Sequence, residues 1–186
     1  MYFVYAKMYG ANVRTVDYQA SENGPVLSLP DLRREIEEFQ PKLVCLPNPD
    51  SPTGAVVDRD ELQSLIKLAG REGTLILIDE AYYPFYPESV IPLIADNPHL
   101  IVTRSTGKAW GMAGLRLGFA VTSNEVATNL HKVRAMYEVG ALAAGAFKEM
   151  LNRYEAVEES VARLTEGKNI FLKEMSALGF KILDCQ

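Results

Sequence analysis

Two rhythms of apolar and polar positions take turns along this chain: short, nearly continuous apolar runs, and longer stretches with one apolar stripe. That alternation predicts an α/β layered domain, a mostly parallel sheet flanked by helices. Residues 2–9, rich in aromatics, are expected to be helical. Residues 12–17, Asn-Val-Arg-Thr-Val-Asp, alternate and are expected to form a strand, followed by a turn-rich stretch from Ser21 to Pro25. Ser28-Leu-Pro-Asp31 has the marks of a helix start, with serine at the cap, proline in the first turn and an acid three residues on. Leu32, Ile36 and Phe39 supply its apolar face. A short strand is expected at 42–46. The next stretch, 47–54, holds Pro47, Pro49 and Pro52 and excludes regular structure. Asp58-Arg-Asp-Glu61 opens a second capped helix, buried along Leu62, Leu65, Ile66 and Ala69 and closed by Arg71-Glu-Gly73. Residues 74–78 are apolar throughout, as expected of a central strand covered on both faces. Further strands are expected at 99–103 and 117–121, joined by a glycine-rich connection.

The second half is helical. Val126, Leu130, Val133 and Tyr137 share a predicted face, and the small residues 140–145 begin another helix. A long helix is expected over about 153–178, where Val157, Val161, Leu164, Phe171, Met175 and Leu178 follow a 4-3 spacing. A coiled coil and a helix linking two domains both fit; the linker is preferred. Gly179 ends it, and 180–183 are expected to start a strand.

Composition narrows the function classes. Of 186 residues, 48% are hydrophobic and 23% charged, with a net charge of -5, as in an ordinary globular protein. No basic run favours nucleic acid, no apolar run approaches a membrane span, and the N-terminus lacks a signal-peptide pattern. Cys45 and Cys185 lie too far apart for a metal or redox motif, so no metal is expected and a reducing, cytoplasmic setting is favoured.

Three segments could carry chemistry. Asp79-Glu80-Ala81-Tyr82 places a carboxylate at the C-terminal end of an apolar strand, where open α/β sheets bind ligands. Taken alone, it reads as a capped loop acid. The connection from Ser105 to Gly118 holds Lys108, Arg116 and the glycines 107, 111, 114 and 118, a set suited to a close-lying anionic ligand. Taken alone, it is a glycine-rich loop with solvated cations. It is no nucleotide P-loop, because Val102 and Ala109 stand where glycine and Ser/Thr are required. Asn48-Pro-Asp-Ser51-Pro-Thr-Gly54 alone is a rigid proline turn.

In this order and spacing, the three segments resemble those of the fold-type I aminotransferases that use pyridoxal 5'-phosphate (PLP), in the histidinol-phosphate aminotransferase-like branch. The resemblance runs through essentially the whole chain. It implies a PLP-transferase large domain at 1–152, and at 153–186 a linker helix and the start of a small domain. It implies transamination between an amino acid, or an amino-alcohol phosphate such as histidinol phosphate, and a 2-oxo acid, as in amino-acid biosynthesis. Lys108 would carry the cofactor as a Schiff base and move the substrate proton. Asp79 would pair with the ring nitrogen, Tyr82 would hydrogen-bond the ring's phenolate oxygen, and Ser51, a donor to the same oxygen, and Asn48 would complete the cofactor contacts. Ser105 and Arg116 would hold the phosphate. Two positions depart from the family: Ser51 stands where asparagine is usual, and Gly107 where serine is frequent. Family members are longer homodimers, so the chain is expected to be a fragment lacking an upstream phosphate loop and stacking aromatic and a C-terminal small domain. Tyr2 and Tyr5 could substitute for that stacking aromatic, but a core role is expected for them. A PLP-dependent decarboxylase or lyase, and a catalytically inert fragment, are the alternatives.

Overall fold

The computed structural model describes residues 2–183. In chain order the elements are α1 (Tyr2–Met8), β1 (Tyr18–Ser21), β2 (Gly24–Leu27), α2 (Leu29–Phe39), β3 (Leu43–Pro47), α3 (Arg59–Arg71) and β4 (Leu75–Asp79). There follow β5 (Leu100–Ser105), β6 (Gly118–Thr122), α4 (Asn124–Val133), α5 (Ala141–Leu151) and α6 (Tyr154–Ala177). The main sheet has the order β3-β4-β5-β6. Its first three strands are parallel, with Cys45 opposite Leu77 and Leu77 opposite Ile101, and β6 runs antiparallel along β5.

Local signals explain the helices. Ser28 Oγ accepts the Asp31 amide at the start of α2, and Pro30 costs nothing in a first turn whose amides lack helical partners. Asp58 Oδ1 accepts the amides of Asp60 and Glu61, each at 3.0 Å, at the start of α3. Past the end of α3, Gly73 adopts φ +68°, a left-handed turn suited to glycine. The apolar faces of α2 and α3 then meet one face of the sheet. Ile36, Leu65, Ile66, Ala69, Ile76, Ile78, Leu100 and Val102 are fully buried there. Burying each large aliphatic side chain contributes about 1.5–3 kcal/mol. A second cluster forms where Trp110 meets Phe147 of α5 and Tyr154 and Val157 of α6.

Several expectations are corrected. Residues 12–17 form no strand. Arg14 instead pairs with Glu35 at 3.2 Å, and its guanidinium lies 4.2 Å from the centre of the Phe39 ring, so the stretch is tied to α2 through this side chain. The strand comes later, because the turn at Glu22-Asn23 lets Tyr18–Ser21 pair with Gly24–Leu27. The strand β4 is not buried equally on both faces: Ile76 and Ile78 are buried, whereas Leu75, Leu77 and Asp79 are half-buried. The helix α4 stops at Val133, so Tyr137 shares no helical face with it, and Val133 and Tyr137 are 79% and 95% exposed. The stripe of α6 is covered at Val157 and left exposed at Leu164 and Phe171. Residues 180–183 carry no strand, and 184–186, including Cys185, lie outside the described residues. Nor do Tyr2 and Tyr5 belong to the core: α1 buries none of its residues.

Candidate active site

The candidate residues converge because parallel strands deliver their C-terminal ends to one edge of the sheet. Pro47 lies opposite Asp79, and Asp79 opposite Thr103, so the 48–54 turn, the 79–82 segment and the 105–116 connection all leave the sheet side by side. The backbone ties continue past the strands, with Asn48 N donating to Asp79 O at 3.0 Å and Glu80 N to Thr103 O at 2.9 Å.

Asp79 is half-buried, and one oxygen accepts the Ala81 amide at 3.1 Å. Its other oxygen accepts the Tyr2 hydroxyl at 2.7 Å, which ties the start of α1 to the strand end. Burial first, and the Asp79 contact second, push the Tyr2 phenol well above its ordinary range. Asp79 forms no ion pair among the described residues.

Tyr82 and Ser51 meet at 3.1 Å, and Lys108 Nζ lies 5.0 Å from the Tyr82 ring centre. The Ser51 hydrogen bond, joined by the hydrogen bond and charge of Lys108, lowers the Tyr82 phenol below its ordinary value against an opposing effect of burial. Ser51 is thus engaged by the Tyr82 hydroxyl. Lys108 itself is exposed, so its amine is open to a covalent partner.

The glycine-rich connection is folded tightly. Thr106, fully buried, bonds Leu117 O through both its amide and its hydroxyl, and Met112 N returns to Thr106 O. Ser105 Oγ accepts the Gly107 amide at 3.1 Å. A Cβ on Gly107 would stand 3.3 Å from Ala113 Cα and 3.4 Å from Ser105 Oγ, so a serine there would crowd the turn. Arg116 adopts φ 51°, an uncommon left-handed conformation for a side-chain-bearing residue, at a cost of about 1 kcal/mol. Its Nη1 donates to Ala113 O at 3.3 Å, which keeps the guanidinium against the connection.

Asn48 is placed differently from the rest. It is 5% exposed, and both ends of its amide are engaged by the Val57 backbone, at 2.8 and 3.2 Å. Its side chain braces the proline turn, which Asp50 also closes by accepting Thr53 Oγ1 at 2.6 Å.

Four contributors escape a reading of the sequence. Tyr2 touches Asp79 across 77 positions. Glu80 and Arg104 form a buried ion pair at 2.9 Å, with the Arg104 guanidinium 3.4 Å from the centre of the Tyr83 ring. One signal was available: Arg104 continues the core-facing alternation of Leu100 and Val102, and a cation on that face needs a buried acid.

Chemically, the cluster offers an amine, a carboxylate, a phenol, two hydroxyls and a guanidinium at one rim. An aldehyde can be taken by Lys108, a cation by Asp79, and a phosphate by Ser105 and Arg116.

Comparison with known proteins gives the family and the fold. Residues 1–186 match the family described as aminotransferase class I and II. The histidinol-phosphate aminotransferase of Thermoanaerobacter pseudethanolicus is 34% identical over 183 residues, which cover 98% of this chain and 50% of that protein. Among solved structures, the histidinol-phosphate aminotransferase of Clostridium acetobutylicum superposes with a TM-score of 0.85 at 24% identity, over 96% of this chain and 53% of that one. The enzyme from Sinorhizobium meliloti, solved in complex with pyridoxal-5'-phosphate, gives 0.85 at 23% identity, over 99% of this chain and 50% of that one. At these identities the two structures show the shared fold. The chain spans about half the length of the curated relatives it matches.

Proposed function

The chain belongs to the aminotransferase class I and II family, and from that premise we propose that its residues bind PLP and catalyse amino transfer between an amine-bearing substrate and a 2-oxo acid. Histidinol phosphate is the favoured amine, supported by the names of the relatives. The observation that carries the reading is Asp79. A half-buried carboxylate at the end of an apolar strand, without a cation among the described residues, fits a protonated ring nitrogen. The surrounding donor set fits the rest of the cofactor, with Lys108 for the aldehyde and Ser105 and Arg116 for the phosphate.

When bound, PLP supplies an electron sink for the negative charge left on the substrate carbon after proton removal. Asp79 holds the proton on the ring nitrogen that makes the sink effective. Tyr82, with its phenol lowered by Ser51 and Lys108, is a strong hydrogen-bonding partner for the oxygen beside the aldehyde. Ser105 and Arg116 would hold the phosphate of PLP. Lys108 would carry the cofactor, and its Nζ would serve as the general base and acid for the proton at the substrate carbon. Asn48 acts at one remove, by holding the turn that presents Ser51.

Mixing the PLP-loaded chain with histidinol phosphate tests this reading. Stoichiometric conversion of the cofactor to pyridoxamine phosphate is expected, and K108A should abolish it. D79N should slow it by about 100-fold or more, the scale of losing one preorganised electrostatic group. Release of carbon dioxide or cleavage of a side-chain bond from an amino-acid donor, without pyridoxamine phosphate, would sink it.

A further inference from the structure

The two strand ends that carry Asp79 and Ser105 are held from the other side of the sheet. Side chains alternate along a strand, so Ile76 and Ile78 face the core while Leu75, Leu77 and Asp79 face away from it. Glu80, just past the strand, continues the core-facing series. On β5, Leu100, Val102 and Arg104 form that same series, and Thr103 and Ser105 face the other way. Glu80 and Arg104 meet there, with side chains 4% and 13% exposed. Arg104 donates to Glu80 Oε2 from Nε at 3.2 Å and from Nη2 at 2.9 Å. Ser89 Oγ donates to the same oxygen, and the Val90 amide to Oε1, each at 2.8 Å. Arg104 Nη2 also reaches Ser89 Oγ at 2.9 Å, and the guanidinium lies over the Tyr83 ring. The contact reaches α6 as well: burial, and then a hydrogen bond with Tyr83, raise Tyr154 to about 12.

We infer that Glu80 and Arg104 are a positioning pair for the cofactor site, a tie beneath the sheet that sets the spacing of Asp79 and Ser105 above it. The inference rests on the reading of those two residues as cofactor contacts. Stability alone does not require the pair, because a buried ion pair is often no better than an apolar pair of similar size. What it adds is geometry. Charge-assisted bonds to a forked guanidinium fix distance and angle together. They act where the β4–β5 ladder stops, one residue from Asp79 and one from Ser105. A purely apolar contact at that point would leave both strand ends free to open locally.

Hydrogen exchange on the full chain tests this without relying on the cofactor. The Ala81 amide reports Asp79, and the Gly107 amide reports Ser105, since each bonds that side chain. In E80Q and R104K, protection at both amides should fall by about tenfold or more while Ile76 keeps its own, as expected for local loss of a buried charged partner. Unchanged protection at Ala81 and Gly107 in folded variants overturns the inference. If either single variant fails to fold, the pair E80M/R104M restores apolar packing and decides the matter. Selective loss at the two amides supports positioning, and wild-type protection overturns it. PLP labelling of Lys108 is read in parallel. A wild-type chain that takes no label defeats the functional reading, while the exchange result still judges the tie between the strands.

Discussion

Tyr82 ties the electrostatics of the site to a measurable titration. Its hydroxyl meets Ser51, and Lys108 stands near its ring, so the folded phenol ionises below the ordinary value of 10.0. The sign follows from proton counting. Between the folded value and about 10, the native state has released a proton that the unfolded chain still holds, so stability rises with pH across that window. It is lost as pH falls back through the folded value. Phenolate absorbance followed against pH should show one tyrosine titrating early, and S51A and K108A should each move it upward. An unchanged titration in both variants would contradict the contacts at Tyr82. At this scale, what could be seen in the sequence was chemistry concentrated in short segments. Lys108, Asp79, Tyr82, Ser105 and Arg116 stood out because their neighbours made recognisable patterns. Tyr2 with Asp79 and Glu80 with Arg104 did not, because 77 and 24 residues separate the partners and only folding joins them. Asn48 was visible as part of a motif, but its engagement with the Val57 backbone was not.

The elements that were legible are those whose signals are local. Both α2 and α3 announced themselves through a capping side chain and an apolar stripe; the buried faces follow that spacing except that Phe39 is half-buried and Leu68 is buried as well. The cap of α3 allows a direct check. Removing the Asp58 carboxylate leaves two amides without their partner, so D58A should lower stability by about 1 kcal/mol in thermal or denaturant unfolding. A loss below a few tenths of a kcal/mol would mean that solvent replaces the cap. The less legible elements depend on partners elsewhere in the chain. Residues 12–17 have the alternation of a strand, yet Arg14 finds Glu35 and Phe39 and no second strand runs alongside. The hairpin at 18–27 carries a weaker alternation but has its own partner across a two-residue turn. Nothing in the periodicity of β6 set its direction, since alternation is the same in parallel and antiparallel strands.

Across the whole molecule, burial is uneven. The face holding Ile76, Ile78, Leu100 and Val102 is closed, whereas Val133, Met136, Tyr137 and Leu142 are each at least 79% exposed around the junction of α4 and α5. Large apolar side chains this exposed and this close along the chain favour association. As part of the proposed function, a homodimer using this region is expected, seen as concentration-dependent mass in sedimentation. M136D/Y137D should shift it toward monomer, and a monomeric wild type at all concentrations would contradict the proposal. No helix among the described residues is long and apolar enough to cross a membrane. The central claim is that the strand-end cluster holds PLP at Lys108, and one measurement tests it most directly. The chain is incubated with PLP, reduced with borohydride and digested, and the modified peptide is mapped. A single pyridoxyl group on Lys108, lost in K108A, is the result expected. Label absent, or scattered over several lysines, would contradict it.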